Sequence, residues 1–144
     1  MKVYLDTSVL VAASVADHVH HPQASALLRQ VRGKKLQGHV SAHGLAEFFA
    51  VLTRAPFTPP IYPSEAWQLL AENILPNFKI IALNAKQYRN VLQQSAKEGW
   101  TGGLIYDALH LAAARSVGCD RIYTFNLRHF RQLAPEQSGI VLMP

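Results

Sequence analysis

The chain carries nine aspartates and glutamates among 144 residues, so a carboxylate at a structurally telling place stands out. Asp6 follows the apolar run Val3-Tyr4-Leu5 and precedes Thr7-Ser8. It either projects from the end of a first strand or caps the helix that follows. Asp107 lies one turn into the stretch Leu104 to Ala114, which is otherwise almost wholly apolar. There it sits on the rim between core and water, as a site carboxylate or as an acid favoured by the helix dipole. Glu47 precedes Phe48-Phe49-Ala50-Val51-Leu52 and falls on the side of His43 and Arg54. Periodicity alone suits an exposed glutamate near a basic neighbour as well as a functional acid. Thr124 and Asn126 follow Arg121-Ile122-Tyr123; both can hydrogen-bond or hold a water, and Asn126 equally suits the cap of a helix beginning at Leu127.

If three such acids converge, physics narrows their chemistry. Unit charges about 5 Å apart repel by roughly 3 kcal/mol at an effective dielectric of about 20, so the cluster needs a proton or a cation. A hard dication relieves the repulsion, and magnesium prefers carboxylate and water oxygens. Zinc is the weaker reading of the seven histidines. His39 and His43 are four apart, but His39 falls in the strand before Ser41 rather than on one helical face with His43. His18, His20 and His21 cluster without a further ligand at telling spacing, and Cys119 has no partner. His110, one turn after Asp107, is placed either to touch a substrate or to pack within its helix.

The elements that must position these residues follow from periodicity and punctuation. Lys2 to Leu5 reads as a buried strand, with a helix to about Ser14. Pro22 opens a helix to roughly Arg32, which Gly33 stops. A short strand at Gly38–Val40 leads to Ser41, the N-cap of a helix to Arg54. Four prolines between Ala55 and Pro63 exclude both helix and central strand and imply a stiff loop within one domain. Ser64 and Glu65 start a helix whose apolar side is Trp67, Leu70, Ala71 and Ile74. Phe78 to Leu83 is strand-like. Asn84 caps a helix with Tyr88, Val91, Leu92 and Ser95 on one face, closed by Gly99. After Gly102-Gly103, Leu104 to Val117 is helical. Arg121 to Thr124 is a strand, Leu127 to Leu133 a short helix, and Ile140 to Met143 a last strand. Short apolar strands alternating with helices imply a parallel α/β sheet covered on both faces, whose sites gather beyond the carboxyl ends of the strands.

Composition bounds the rest. At 49% hydrophobic the chain supports one domain, residues 1–144, without staples. The single cysteine excludes an internal disulfide framework and suits a reducing cytoplasm. No apolar run approaches the roughly 18–20 residues of a membrane span. A net charge of +5 favours a polyanionic partner, because neutralising phosphates releases counterions. Arg128, His129 and Arg131, beside Asn126, are the candidate phosphate contacts, with Arg29, Arg32, Lys34 and Lys35 next. A solvated basic face serves equally for each, and the dispersed aromatics read as core rather than as a base-stacking platform.

Taken together, these stretches resemble a known family. Asp6-Thr7-Ser8-Val9-Leu10 is similar to the opening of PIN domains, and Glu47 in the third helix resembles their second acid. Gly102-Gly103-Leu104-Ile105-Tyr106-Asp107-Ala108-Leu109 resembles the third-acid motif of VapC toxins. Thr124-Phe125-Asn126-Leu127-Arg128-His129-Phe130 resembles their fourth motif. The match spans nearly the whole chain in order. It implies a three-layer α/β/α fold around a parallel sheet of four to five strands, with the acids converging at one end. It also implies a Mg²⁺- or Mn²⁺-dependent endoribonuclease, the toxin of a toxin–antitoxin pair, with a cognate antitoxin, a homodimer and a cytoplasmic location. On that reading Asp6 and Asp107 are direct metal ligands. Glu47 binds the metal, through water, or helps deprotonate the nucleophile, while Asn126 and Thr124 orient the water or the substrate phosphate. Asn126 departs from the aspartate frequent at the fourth position, which removes a charge and bears on a second metal. The Pro56–Pro63 loop and the Trp67 helix are the expected docking surfaces for the antitoxin.

Two other readings stay open from sequence. Phosphatases of the haloacid-dehalogenase type also use an aspartate ending a first strand as nucleophile, but they want a second aspartate where Ser8 stands. A PIN fold kept as an RNA- or protein-binding module is the other; the three acids weigh against it and Asn126 weighs for it.

Overall fold

A computed structural model describes all 144 residues. Five parallel strands form one sheet: β1 (Lys2–Leu5), β2 (Gln37–Ser41), β3 (Phe78–Ile81), β4 (Arg121–Tyr123) and β5 (Val141–Leu142). Their spatial order is β3-β2-β1-β4-β5, so the chain builds outward from β1 on one side and then returns to its other side. The gap between β1 and β4 is therefore a topological switch point, where parallel sheets open a crevice at their carboxyl ends. Seven helices cover the sheet: α1 (Thr7–Ser14), α2 (His21–Arg32), α3 (Ala42–Arg54), α4 (Pro63–Leu69), α5 (Ala85–Glu98), α6 (Leu104–Ser116) and α7 (Leu127–Leu133). The three-layer arrangement and the five-strand parallel sheet agree with the expectation from sequence. No helix is long and apolar enough to cross a membrane.

Strand alternation divides the core in two. Val3 and Leu5 face α1, α2 and α3 on one side, while Tyr4 faces the apolar positions of α6 and α7 on the other. Period-2 alternation in a strand covered on both faces puts an apolar residue at every position, which is why β1 reads as a continuous run. Ser41 caps α3 by accepting from Gly44 N–H at 2.8 Å, and Asn84 with Gln87 forms a capping box on α5. Gly99 ends α5 in the left-handed region at φ 73°.

Two helical faces differ from expectation. In α4 the buried residues are Ala66 and, in the π-turn Leu70–Ile74 that continues it, Leu70 and Ile74. Trp67 is 58% exposed. Leu70 and Ile74 are buried as expected, while Ala66 takes the place of Trp67 and Ala71 is half-buried, so the buried positions are spaced by four into the π-turn. In α5 only Val91 and Ser95 are buried, and Tyr88 and Leu92 lie at the surface. The strands at Phe78 and Ile140 end or begin a residue or two inside the expected bounds, and Pro135–Ile140 forms a 3₁₀ turn that the sequence did not signal.

The tightest approach in the fold is at Gly38 of β2. A methyl group there would lie 2.5 Å from Val31 Cγ1 and 2.6 Å from Phe78 Cδ1. Gly38→Ala should therefore destabilise the chain by about 1–3 kcal/mol through overpacking. Urea unfolding measures it, and an unchanged midpoint would show that α2 can ride away from the sheet.

Candidate active site

Asp6 is placed by the switch point. β1 pairs with β4 in the register Leu5↔Tyr123, which sets Asp6 beside Thr124, and Asp6 N–H donates to Tyr123 O at 3.1 Å. The carboxylate is 4% exposed and fully engaged. Oδ1 accepts from Ser8 Oγ at 2.6 Å and from Val9 N–H at 3.3 Å; Oδ2 accepts from Thr124 Oγ1 at 2.7 Å. Asp6 is thus both the N-cap of α1 and a site carboxylate, and the two sequence readings are not exclusive. Burial pushes its carboxyl above the ordinary range, against the charge of His110 and the bonds from Ser8, Thr124 and Val9. Neutralisation by an adjacent cation would reverse that cost.

Asp107 reaches the same place from α6. Its side chain is 15% exposed, and Oδ2 lies 3.0 Å from His129 Nδ1. Its carboxyl is also pushed up, first by burial and then by the negative charge of Asp6, with the His129 bond opposing. A buried carboxylate whose charge raises a half-buried second one from another element marks a candidate shared site.

Glu47 lines the pocket but is oriented differently. Oε1 accepts from His110 Nε2 at 2.8 Å and lies 2.7 Å from His43 Nε2. The His43 approach is too oblique for a hydrogen bond and leaves that nitrogen unpaired, so it acts as an electrostatic contact. Burial raises the Glu47 carboxyl, but the His110 bond and the charges of His110 and His43 outweigh it, and the net direction is down. No three histidine, cysteine or acidic side chains lie together as a metal-holding group. The structure thus brings Asp6, Glu47 and Asp107 to one pocket, yet it does not form the ready three-carboxylate cradle.

That pocket, about 330 Å³, is lined by Asp6, Thr7, Ser8, Glu47, Asp107 and Asn126 among others, with His18 and Phe125 also at its wall. No lysine or arginine lines it. Thr124 is fully buried and links two parts of the site, donating to Asp6 and accepting from Asn126 N–H at 2.8 Å. Asn126 does not cap α7 through its side chain; its Nδ2 lies 3.1 Å from His129 Nδ1 instead. Sequence reasoning missed Ser8, whose hydroxyl donates to Asp6 and accepts from Phe125 N–H at 3.1 Å, tying α1 to the segment after β4. The signal was the second hydroxyl in Asp-Thr-Ser. It left open the role of His110, which is buried and bonded to Tyr4, Thr7 and Glu47. Arg131 donates to Val141 O and Arg128 is exposed beyond the pocket rim. The outer wall of α1 and the proline loop form a separate cleft of about 440 Å³ with Phe57, Ile61 and Leu69 beside Asp17, Glu65 and Glu72.

Two outcomes follow from these contacts. Thr124→Val keeps the shape but removes a charge-assisted bond to a buried carboxylate, and should cost about 1.5–3 kcal/mol in thermal or chemical unfolding. A cost within error would mean that water replaces the hydroxyl. The carboxyl of Asp6 titrates above its unfolded value of 3.8, so the folded state binds that proton more tightly. Stability from this group is present at low pH and falls as pH rises past the unfolded value toward the raised folded one. In metal-free buffer, Asp6→Asn should therefore gain stability relative to the parent as pH rises above the unfolded value of 3.8. A gap that narrows on the way up would contradict the assigned direction.

The site's geometry can be set beside known proteins. Residues 3–135 match the PIN domain family. Ribonuclease VapC40 of Mycobacterium tuberculosis is 36% identical over 123 residues, covering 85% of each chain. Among solved structures, Mycobacterium tuberculosis VapC20, described as a Sarcin-Ricin loop cleaving toxin, superposes with a TM-score of 0.70 at 19% identity, over 88% of this chain and 92% of its own. VapBC2 from Rickettsia felis, bound to a DNA fragment from its promoter, does so with a TM-score of 0.69 at 19% identity, over 99% and 98%. The family match over most of the chain and the 36% identical VapC relative covering 85% of it decide the matter: this chain belongs to the PIN domain family, among the VapC-type proteins.

Proposed function

We propose that the protein is a divalent-metal-dependent endoribonuclease, the toxin of a toxin–antitoxin pair, working as a single catalytic domain in the cytoplasm. The observation that carries the chemistry is the pair Asp6 and Asp107: one buried and one half-buried carboxylate from different elements, in one pocket, each pushed up first by its own desolvation. Hard oxygen donors of this kind fit Mg²⁺ or Mn²⁺, which one or two carboxylates hold with the remaining positions left to water and substrate phosphate. Asp6 and Asp107 would hold the ion, and Glu47 would reach it through water. When bound, the ion supplies charge stabilisation at a phosphodiester and a water acidified for in-line attack.

The chain's own residues do the rest. Ser8 and Thr124 fix the Asp6 carboxylate in place, with Oδ2 accepting from Thr124 alone. Thr124 also anchors the backbone of Asn126, whose exposed amide is available to a phosphate oxygen or a water. His129 holds Asp107. Glu47, kept ionised by its histidines, is the base that can take the proton of the attacking water. Arg128 and Arg131 stand on the same segment as candidates for flanking phosphates.

The ribonuclease name of the 36% identical relative supports the substrate class, and the toxin description of VapC20 with the likeness to VapBC2 supports the antitoxin partner. The cleft of Phe57, Ile61 and Leu69 beside three acids suits an antitoxin segment with apolar and basic side chains. Exposed Tyr88 and Leu92 of α5 suit a homodimer contact. The engagement of Glu47 by two histidines favours one other reading, an RNA-binding module without cleavage.

Asp6→Asn and Asp107→Asn should abolish Mn²⁺-dependent cleavage of RNA while the far-ultraviolet dichroism stays native. Mn²⁺ should also raise the unfolding free energy of the parent, by roughly 2.7 kcal/mol at about a hundred times Kd, and should do so little for either variant. RNA bound in EDTA with no cleavage on adding Mn²⁺ would instead mark a binding module, and undiminished cleavage by Asp6→Asn would refute the scheme.

A further inference from the structure

We propose that His110, with its tautomer set by Tyr4, is a positioning residue for Glu47. The contact chain runs from the middle of β1 to the pocket rim. Tyr4 is fully buried and its phenol is pushed up by burial, so it keeps its proton. The phenol oxygen lies 2.6 Å from His110 Nδ1, and in this proposal the phenol donates there. An imidazole that accepts at Nδ1 carries its proton on Nε2, and Nε2 is the atom 2.8 Å from Glu47 Oε1.

The surroundings are built for this ring. His110 is 2% exposed, and a methyl group at Gly44 would lie 3.1 Å from its Cε1, so glycine in the first turn of α3 is what lets the ring lie against that helix. Tyr4 meets the ring edge-on at 5.8 Å, and His43, stacked on Tyr106 at 5.2 Å, meets it edge-on at 5.9 Å. Rotation of the imidazole is thus blocked on several sides. Both histidines approach the same oxygen of Glu47, Oε1, which leaves Oε2 to take a proton or hold a water.

A buried histidine needs some partner for each nitrogen, and a purely packing role would be met by any two. What distinguishes this arrangement is that three elements, β1, α6 and α3, are joined by one ring whose polarity runs in a single direction, ending on a pocket carboxylate. His110 fixes which oxygen of Glu47 is spent and which is free. It also keeps a third negative charge in a set orientation beside the Asp6–Asp107 pair. The inference rests on the nuclease reading for its kinetic consequence, but not for its structural one.

Tyr4→Phe tests it, because the ring stays and only the hydroxyl leaves. In the metal-free protein, nitrogen–proton correlation spectra of the imidazoles should show His110 as the Nε2–H tautomer in the parent and as a mixture in the variant. Turnover should fall about 10–100-fold, the usual cost of losing an orienting partner behind a site residue, with KM for RNA unchanged. His110→Gln, which retains an N–H donor, should keep more turnover than His110→Leu. A parent His110 protonated at Nδ1 overturns the proposal, as does Tyr4→Phe with parental turnover despite a mixed tautomer. Should the parent itself fail to cleave RNA, the nuclease reading fails, while the imidazole spectra still decide whether Tyr4 sets His110.

Discussion

A carboxylate is buried at the one place in the sheet where two strands diverge, and most of the site is arranged around keeping it charged there. Asp6 loses almost all its water, and an unpaired buried charge costs several kcal/mol. Three donors offset that cost: the hydroxyl of Ser8, the amide of Val9 and the hydroxyl of Thr124. They come from two structural decisions. Val9 is supplied by the start of α1, Ser8 by the same turn, and Thr124 by the pairing of β4 against β1. Losing the strand register would remove Thr124 from reach, so the topology and the charge state of Asp6 are linked.

Asp107 then makes the arrangement chemical rather than structural. A single capped aspartate is common at a helix N-terminus. A second, half-buried carboxylate whose proton affinity rises through its own burial and then through the charge of the first is a tension that packing alone would relax. It persists because α6 begins at the edge of the same crevice and its first turn directs residue 107 inward, with His129 of α7 across from it. Glu47 lies on the third side under different control, paired to histidines from its own helix and from α6. The pocket thus holds two carboxylates that want a cation and one that is already paired with histidines.

Much of this was legible in the residues. Asp6 after an apolar triad, Asp107 one turn into an apolar helix, and Thr124 after a short strand all ended at the carboxyl edge, because in a parallel sheet strand ends and helix starts share that edge. His43 and Glu47, four apart, were expected on one helical side and meet there. What could not be read was lateral: which histidine would meet Glu47, that Ser8 would bridge to Phe125, and that Asn126 would turn to His129 rather than cap α7. Such contacts depend on side chains distant in sequence meeting across elements, and periodicity carries no information about them. The misread faces of α4 and α5 have a local cause in the first case, the π-turn at Leu70–Ile74. In α5, Tyr88 and Leu92 share their helical side with polar residues and simply stay outside.

The most direct test of the Asp6–Asp107 pair as an ion site is anomalous diffraction from crystals grown with Mn²⁺. A peak touching both carboxylates, with Glu47 still bonded to His110 and contacting the ion through a water at most, is the expected result. A peak elsewhere, or none at this pair under conditions where the protein cleaves RNA, would contradict it.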